Sequence, residues 1–285
     1  MNENIMKGKT VVVTGASSGI GLETSLGLAK LGARVVMVAR DKKRGQDGVD
    51  YVVSKSGSKS VDLMLADFSA LKNVRKLAAD IRKKYKKIDV LINNAGGVFG
   101  KRSLTADGFE WTFGVNHLAP FLLTNLLLPV LKKSGKARVV TVASMAHIMG
   151  RINFDDLMSE KKYADMTAYA QSKLSNILFA SELARRLKGS KVTSNSLHPG
   201  VVHTRFANSG GVLSNFFYSV FGFLMSTPEK GAKTSIYAAS SPELEGVTGK
   251  YLSDCRITTP APQALDEVAA KKLWEISEKL VKLKN

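Results

Sequence analysis

Tyr169 and Lys173 stand four residues apart in Tyr169-Ala170-Gln171-Ser172-Lys173, a spacing that on a helix puts the phenol and the ammonium on one face. A free phenol titrates at roughly 10, and a neighbouring cation favours the phenolate. Proton exchange near neutrality requires roughly 4 kcal/mol of differential stabilisation, which the lysine and one further cation could supply together. The pair is weak evidence alone, since any lysine-rich helical protein contains it by chance. Ser144 closes an apolar strand, where a hydroxyl can hydrogen-bond a substrate oxygen or serve as a turn or N-cap serine. Asn116, in Val115-Asn116-His117-Leu118, falls inside a helical stretch that disfavours asparagine. That points to a local water or backbone role, with a plain surface asparagine as the alternative. His117 and His147 lack ligand or triad partners at recognisable spacing and read as non-catalytic, and no metal site is expected.

A second group of residues could hold an anionic cofactor. Thr14-Gly15-Ala16-Ser17-Ser18-Gly19-Ile20-Gly21 follows the first valine strand and opens a helix. Gly15, Gly19 and Gly21 allow a tight turn and close approach to a pyrophosphate. Ser17, Ser18 and Ile20 would present backbone N–H groups at the helix N-terminus, which favours negative charge. A carboxylate at the end of the second strand would bind the ribose hydroxyls of NAD. Here that strand ends Val38-Ala39-Arg40, and a guanidinium suits a 2′-phosphate through paired charge-assisted hydrogen bonds. NADP (NADPH) is therefore the expected cofactor, unless Asp41 turns inward or Arg40 is merely solvated. Lys42, Lys43 and Arg44 read as a solvated basic face. Asp67-Phe68 ends the third strand, where the Asp67 carboxylate either accepts from an adenine amino group or caps a helix. Asn93-Asn94-Ala95-Gly96-Gly97 ends the fourth, and Asn93, Ala95 and Gly96 would line the crevice beside the first strand, although a plain turn uses the same residue types.

The elements that must position these residues are legible as apolar runs at 10–14, 34–39, 60–66, 88–92, 137–143 and 192–197, separated by stretches with helical spacing. Alternating strands and helices require right-handed crossovers and a sheet covered on both faces. The expected fold is α/β, a single doubly wound Rossmann-type parallel sheet in one domain spanning 1–285. A late strand is expected at 249–252 and a terminal helix over 265–283. The longest apolar stretch, 121–131, is too short to span a membrane, which takes roughly 20 apolar residues, and reads as a buried helix.

With 285 residues and 44% hydrophobic content the chain can bury a substantial core. Its one cysteine, Cys255, excludes an internal disulfide and a CxxC metal site. The polar, lysine-bearing start lacks the apolar core of a signal peptide, so a cytoplasmic location is expected. The net charge of +18 could attract nucleic acid, an anionic membrane or an anionic cofactor. Because the cations are spread over many helices without an RNA-binding aromatic signature or zinc finger, no nucleic-acid role is expected.

In order along the chain, Thr14-Gly15, Asn93-Asn94-Ala95-Gly96, Asn116, Ser144, Tyr169 to Lys173 and Pro199-Gly200 resemble the short-chain dehydrogenase/reductase family. The resemblance covers nearly the whole chain. It implies that Tyr169 is the general acid or base, and that Lys173 holds the nicotinamide ribose and lowers the Tyr169 pKa. It also implies that Ser144 polarises the carbonyl and Asn116 supports a proton-relay water. Pro199, Gly200, Val202 and Thr204 would contact the nicotinamide side of the cofactor. Val38-Ala39-Arg40-Asp41, Val115-Asn116-His117-Leu118, Ser172-Lys173-Leu174-Ser175-Asn176 and His198-Pro199-Gly200 are similar to the retinol dehydrogenase-like branch. So is a long interval between Ser144 and Tyr169, which includes a surface insertion at 152–162. Many members of that branch carry an N-terminal membrane anchor that this sequence does not show.

Residues 212–225 form the most aromatic stretch of the chain and match the place of a substrate lid, at about 204–227. An apolar lid would exclude water and admit a lipophilic aldehyde, ketone, alcohol or retinoid-like substrate. The same stretch could instead pack on the core, form a homo-oligomer interface or touch a membrane surface peripherally. The expected activity is NADP-dependent hydride transfer between nicotinamide and a carbonyl or alcohol. The rival expectation is a cofactor-binding regulator or scaffold of the same fold without useful turnover.

Overall fold

Valine-rich runs, buried on both faces, build the centre of the sheet. In the computed structural model, which describes residues 4–200 and 227–283, the strands are β1 (Thr10–Thr14), β2 (Arg34–Ala39), β3 (Val61–Leu65), β4 (Val90–Asn93), β5 (Arg138–Val142), β6 (Thr193–Leu197), β7 (Tyr251–Ser253) and β8 (Arg256–Thr258). Their order is β3-β2-β1-β4-β5-β6-β7-β8. The first seven run parallel, and β8 alone is antiparallel, pairing Leu252 with Ile257. The chain moves from β1 out to β3 and then returns to place β4 on the other side of β1. Val13 therefore pairs with Met37 on one flank and Ile92 on the other. Doubly wound sheets bind ligands at the crevice that this reversal opens above the strand C-termini.

Helices α1 (Gly19–Lys30), α2 (Lys42–Ser56) and α6 (Pro228–Ser240) cover one face. Helices α3 (Leu71–Lys84), α4 (Trp111–Lys132), α5 (Asp165–Arg186) and α7 (Glu267–Leu280) cover the other. The second face holds an aromatic core in which Phe121 meets Trp274 edge-on at 4.8 Å and Phe179 stacks on Trp274 at 5.8 Å. The helix containing 121–131 is long and apolar enough to cross a membrane, but it lies mostly buried inside the protein, as its sequence suggests.

The parallel strands fall within one or two residues of the apolar runs, and the terminal helix is where its spacing puts it. The exposed, three-residue β8 carries no alternating pattern that would mark it in the sequence. The 152–162 insertion is irregular. It is tied down where the Gln171 Oε1 accepts from the Asn153 N–H at 2.9 Å and where Leu157 is buried.

Helix α4 starts at a buried carboxylate. Glu110 accepts from the Thr112 N–H at 2.7 Å and from the Phe113 N–H at 2.8 Å, satisfying two of the helix's orphan donors. One turn later the helix widens into a π-turn at Gly114–Leu118, a distortion that recurs at functional sites and here contains Asn116. Glu110→Ala is expected to lower stability by about 2–4 kcal/mol, because it leaves two buried N–H groups without a charged acceptor. Glu110→Gln keeps one acceptor and should lose about half as much. Urea unfolding of the three proteins checks the order.

Candidate active site

Four of the side chains singled out in the sequence converge above the C-terminal ends of β4 and β5. Lys173 is buried, and its Nζ donates to the Val142 carbonyl at 3.2 Å and lies 5.5 Å from the centroid of the Tyr169 ring. Burial pulls its pKa down to about 8. A side chain on Gly96 would come within 2.9 Å of the Asn116 Oδ1 and 3.5 Å of the Lys173 Nζ, so glycine there leaves the ammonium its space. Tyr169 is half-exposed on α5. Ser144 follows β5 and accepts from the Ala146 N–H at 3.2 Å, a geometry that leaves its own proton available to a substrate oxygen.

Asn116 is fully buried and its amide is committed to the scaffold. Its Oδ1 accepts from the Gly97 N–H at 2.8 Å, and its Nδ2 donates to the Gly97 carbonyl at 2.9 Å and the Ser172 Oγ at 3.0 Å. Of the two local roles open to it, the backbone one is realised, and the surface alternative is excluded. With both N–H groups engaged, the amide has no donor left to offer a relay water. Ser172 in turn donates to the Tyr169 carbonyl at 2.8 Å, so Asn116, Gly97 and α5 are held as one unit.

The glycine-rich turn is built for close approach. Gly15 and Gly19 have φ of +65° and +58°, the left-handed region glycine adopts without strain. A Cβ on Gly21 would lie 2.3 Å from the Gly15 carbonyl oxygen, so glycine is required for α1 to start this near the turn. The Ser18 N-cap makes no side-chain capping bond, and the first turn carries no acid. The N–H groups around Ser17, Ser18, Gly19 and Ile20 are thus presented to an anion. The Asn94 Nδ2 donates to the Thr14 carbonyl at 2.8 Å, and the Ala95 N–H donates to the Thr14 Oγ1 at 3.0 Å, strapping the end of β4 to this turn. The residues present fit a dinucleotide.

Arg40 is exposed at the end of β2. Asp41 does not face the ribose position: it caps α2, accepting from the Arg44 N–H at 2.8 Å. Arg44 is exposed, as its run suggests, and its Nη2 also reaches the Ser18 Oγ at 3.4 Å. Only the return of α2 over the turn brings residues 26 apart together. Local bonding and packing place Asp67, Phe68 and Asn93. Asp67 does not cap α3, whose N-cap is Ala70; it accepts from the Ser69 N–H at 2.9 Å. Phe68 is buried in the core, so only its backbone can face a ligand. Asn93 is buried too, donating from Nδ2 to the Thr124 Oγ1 at 2.8 Å, and its amide serves packing between β4 and α4.

His117 and His147 are both buried. His117 sits among Phe113, Phe121 and Phe179, and burial pushes its pKa down to about 3. His147 ties the turn after Ser144: its Nδ1 bonds the Ser144 carbonyl at 2.7 Å while its Nε2 accepts from the Ala261 N–H at 3.1 Å. No sequence signal marks the His198 side chain itself. Its Nδ1 accepts from the Gly200 N–H at 2.9 Å and its Nε2 lies 3.0 Å from the Ser253 Oγ, so it holds Pro199-Gly200 in the neutral tautomer protonated at Nε2. Val202, Thr204 and the 212–225 stretch lie outside the described residues; Thr227 caps α6.

Burial lowers the His198 pKa, with Asp254 opposing and His147 adding to the shift. The neutral form is the one the fold uses, so the tie is complete above about pH 6.5 and is lost as pH falls through the lowered value. If Gly200 supports the cofactor, the KM for it should rise as pH falls through the lowered His198 value. His198→Ala should show a KM raised about tenfold at every pH, the effect of one lost hydrogen bond to a loop, and His198→Asn should restore most of it. A flat KM profile in all three proteins would refute the role.

A seven-stranded parallel sheet with a glycine-rich anion turn at its switch point and a tyrosine and buried lysine across the same edge defines a dinucleotide-dependent oxidoreductase. The sequence pattern of the short chain dehydrogenase family matches residues 9–211, and the chain belongs to that family. It is 45% identical to retinol dehydrogenase 14 of Homo sapiens, over 98% of this chain and 88% of that protein. It is 43% identical to human retinol dehydrogenase 13, over 97% and 85%, which places it in the retinol dehydrogenase-like branch. Among solved structures, a protein from Mycobacterium paratuberculosis superposes with a TM-score of 0.81 at 37% identity, covering 99% of this chain and 96% of the other. RhlG of Pseudomonas aeruginosa, solved as an NADP complex, gives 0.71 at 25% identity, over 93% and 100%. The chain is thus a dehydrogenase of the class that acts on alcohol and carbonyl groups.

Proposed function

We propose that the protein is an NADP-dependent carbonyl reductase and alcohol dehydrogenase for lipophilic substrates, with Tyr169 as its proton donor and acceptor. The observation that carries the reading is the Lys173 ammonium, sealed from water between the Val142 carbonyl, Gly96 and the Tyr169 ring. The cofactor held by the glycine-rich turn would supply the hydride. Tyr169 gives its proton to the carbonyl oxygen in reduction and takes it from the hydroxyl in oxidation. Ser144 donates a second hydrogen bond to that oxygen and so stabilises the charge developing on it. Lys173 favours the phenolate by its charge and would hold the cofactor ribose; Asn116 fixes Gly97 and α5 in register.

The lipophilic assignment rests on the turn after Ser144. Met145, Ile148 and Met149 are 47%, 56% and 65% exposed, an apolar rim beside the hydroxyl that would meet the substrate. Exposed apolar side chains grouped this way mark binding surfaces. The deciding experiment is oxidation of NADPH, with NADH in parallel, against aliphatic, aromatic and isoprenoid aldehydes. Turnover with NADPH that rises with chain length supports the proposal. NADPH binding without turnover across the panel would move the protein to the cofactor-binding regulator.

A further inference from the structure

The charge of the molecule is not spread evenly over it. Seven segments lead into the seven parallel strands, at 4–9, 30–34, 55–60, 82–89, 132–138, 185–192 and 241–250, and parallel pairing brings all seven to the N-terminal edge of the sheet. Together they contain twenty Lys and Arg against three carboxylates, Asp89, Glu243 and Glu245, a surplus of seventeen. The rest of the chain has twenty-two cations and twenty-one carboxylates, so nearly the whole net charge of +18 sits on the edge opposite the candidate active site. Asp62, Glu182 and Glu267 reach into this face through ion pairs with Arg34, Lys84, Arg185 and Arg186, which still leaves a surplus of fourteen.

Helix dipoles account for part of this, because cations are favoured in last helical turns. Eight of the twenty lie there; the other twelve, among them Lys86, Lys136, Lys188 and Lys191, lie outside the helices, where no dipole asks for them. Such a concentration costs self-repulsion, so it calls for a partner.

We propose that this face docks the protein on an anionic lipid bilayer, with the catalytic edge turned away from the membrane. Three features favour a bilayer over a nucleic acid. Fifteen of the twenty cations are lysines, hydrated point charges that suit a diffuse anionic plane, where nucleic-acid readout favours arginine forks and stacking aromatics. The one aromatic side chain in these segments, Tyr85, is buried and bonded to Asp62 at 2.8 Å. The cations are dispersed across the full width of the parallel sheet, about 30 Å at normal strand spacing, and not aligned along one cleft. Within the face a groove of about 810 Å³ opens between Lys9, Arg138 and Lys191, with Ile5 and Leu187 in its walls, room for a lipid headgroup.

The test is flotation of the full chain with vesicles of phosphatidylcholine alone or with about one third phosphatidylserine, at low and high salt. Two variants of equal net charge are compared. One carries Lys83→Glu, Lys86→Glu, Lys133→Glu and Lys188→Glu on the basic face; the other carries Lys101→Glu, Lys161→Glu, Lys162→Glu and Lys230→Glu, all exposed and outside those seven segments. The expected result is salt-sensitive binding to the serine-lipid vesicles only, at least a hundredfold weaker in the first variant and little changed in the second. Both should keep the unfolding midpoint and the turnover of a water-soluble carbonyl. If the first variant does not fold, Lys→Gln at the same four positions must give the same ranking. Equal loss in both variants, binding to phosphatidylcholine alone, or tighter binding to duplex RNA than to the vesicles would overturn the proposal.

Discussion

Tyr169→Phe is expected to lower kcat for carbonyl reduction by about 10³–10⁴ while NADPH affinity changes little, because it removes only the proton that the carbonyl oxygen receives. Lys173→Met should lose as much kcat and, unlike Tyr169→Phe, should also weaken NADPH. These two effects separate through pH. The Lys173 ammonium is buried with a pKa of about 8 in the free chain, and the protonated form is the one that suits an anionic cofactor. NADPH affinity should therefore be flat below pH 8 and fall by up to about tenfold per pH unit above it, as the free enzyme loses the proton that the complex keeps. In Lys173→Met that alkaline fall should vanish, leaving a weaker but pH-independent Kd over the same window. Fluorescence titration of NADPH between pH 6 and 10 measures this without turnover, so it tests the lysine even if every candidate substrate is wrong. An unchanged alkaline fall in Lys173→Met would remove Lys173 from the site, and full turnover by Tyr169→Phe would remove the tyrosine.

The sheet and most of the site were legible because they depend on local signals. Buried parallel strands are short apolar runs, and the positive-φ glycines at Gly15 and Gly19 have no cheap substitute. The four-residue interval from Tyr169 to Lys173 needs only a helix. What was not legible depends on which way a polar side chain turns once distant segments meet. Asn93 and Asn94 are adjacent and identical in type, yet one amide packs under Thr124 and the other straps the glycine turn. Asp67 could read as an N-cap because it follows the third strand directly, but the helix starts farther on and Ala70 took that position. The basic edge is hidden in the sequence for the same reason. Each basic run looks like a solvated helix end, and only the parallel order of the strands gathers the runs on one side.

Replacing Arg40 and Arg44 together with alanine should reduce kcat/KM for NADPH by a hundredfold or more and leave that for NADH nearly unchanged. Each charge-assisted hydrogen bond to a phosphate contributes about 1.5–3 kcal/mol, and the 2′-phosphate is the only group by which the two cofactors differ. Arg40 stands at the end of β2, where the adenosine ribose of such folds lies. Arg44 touches Ser18 at the start of α1, so the two guanidinium groups come from the loop and helix that flank that position. Asp41, the residue that could have favoured NAD, spends its carboxylate on the α2 cap, so Asp41→Ala should cost about 1 kcal/mol of stability without changing cofactor preference. The single variants carry the finer information. If Arg44 acts directly on the phosphate, Arg44→Ala should cost NADPH about tenfold and the loss should shrink at high salt. If it only braces Ser18, NADPH and NADH should weaken together, since the turn around Ser18 serves the pyrophosphate that both share. A wild-type preference for NADH, or equal losses for the two cofactors in the double variant, would remove the 2′-phosphate from this part of the site and the NADP assignment with it.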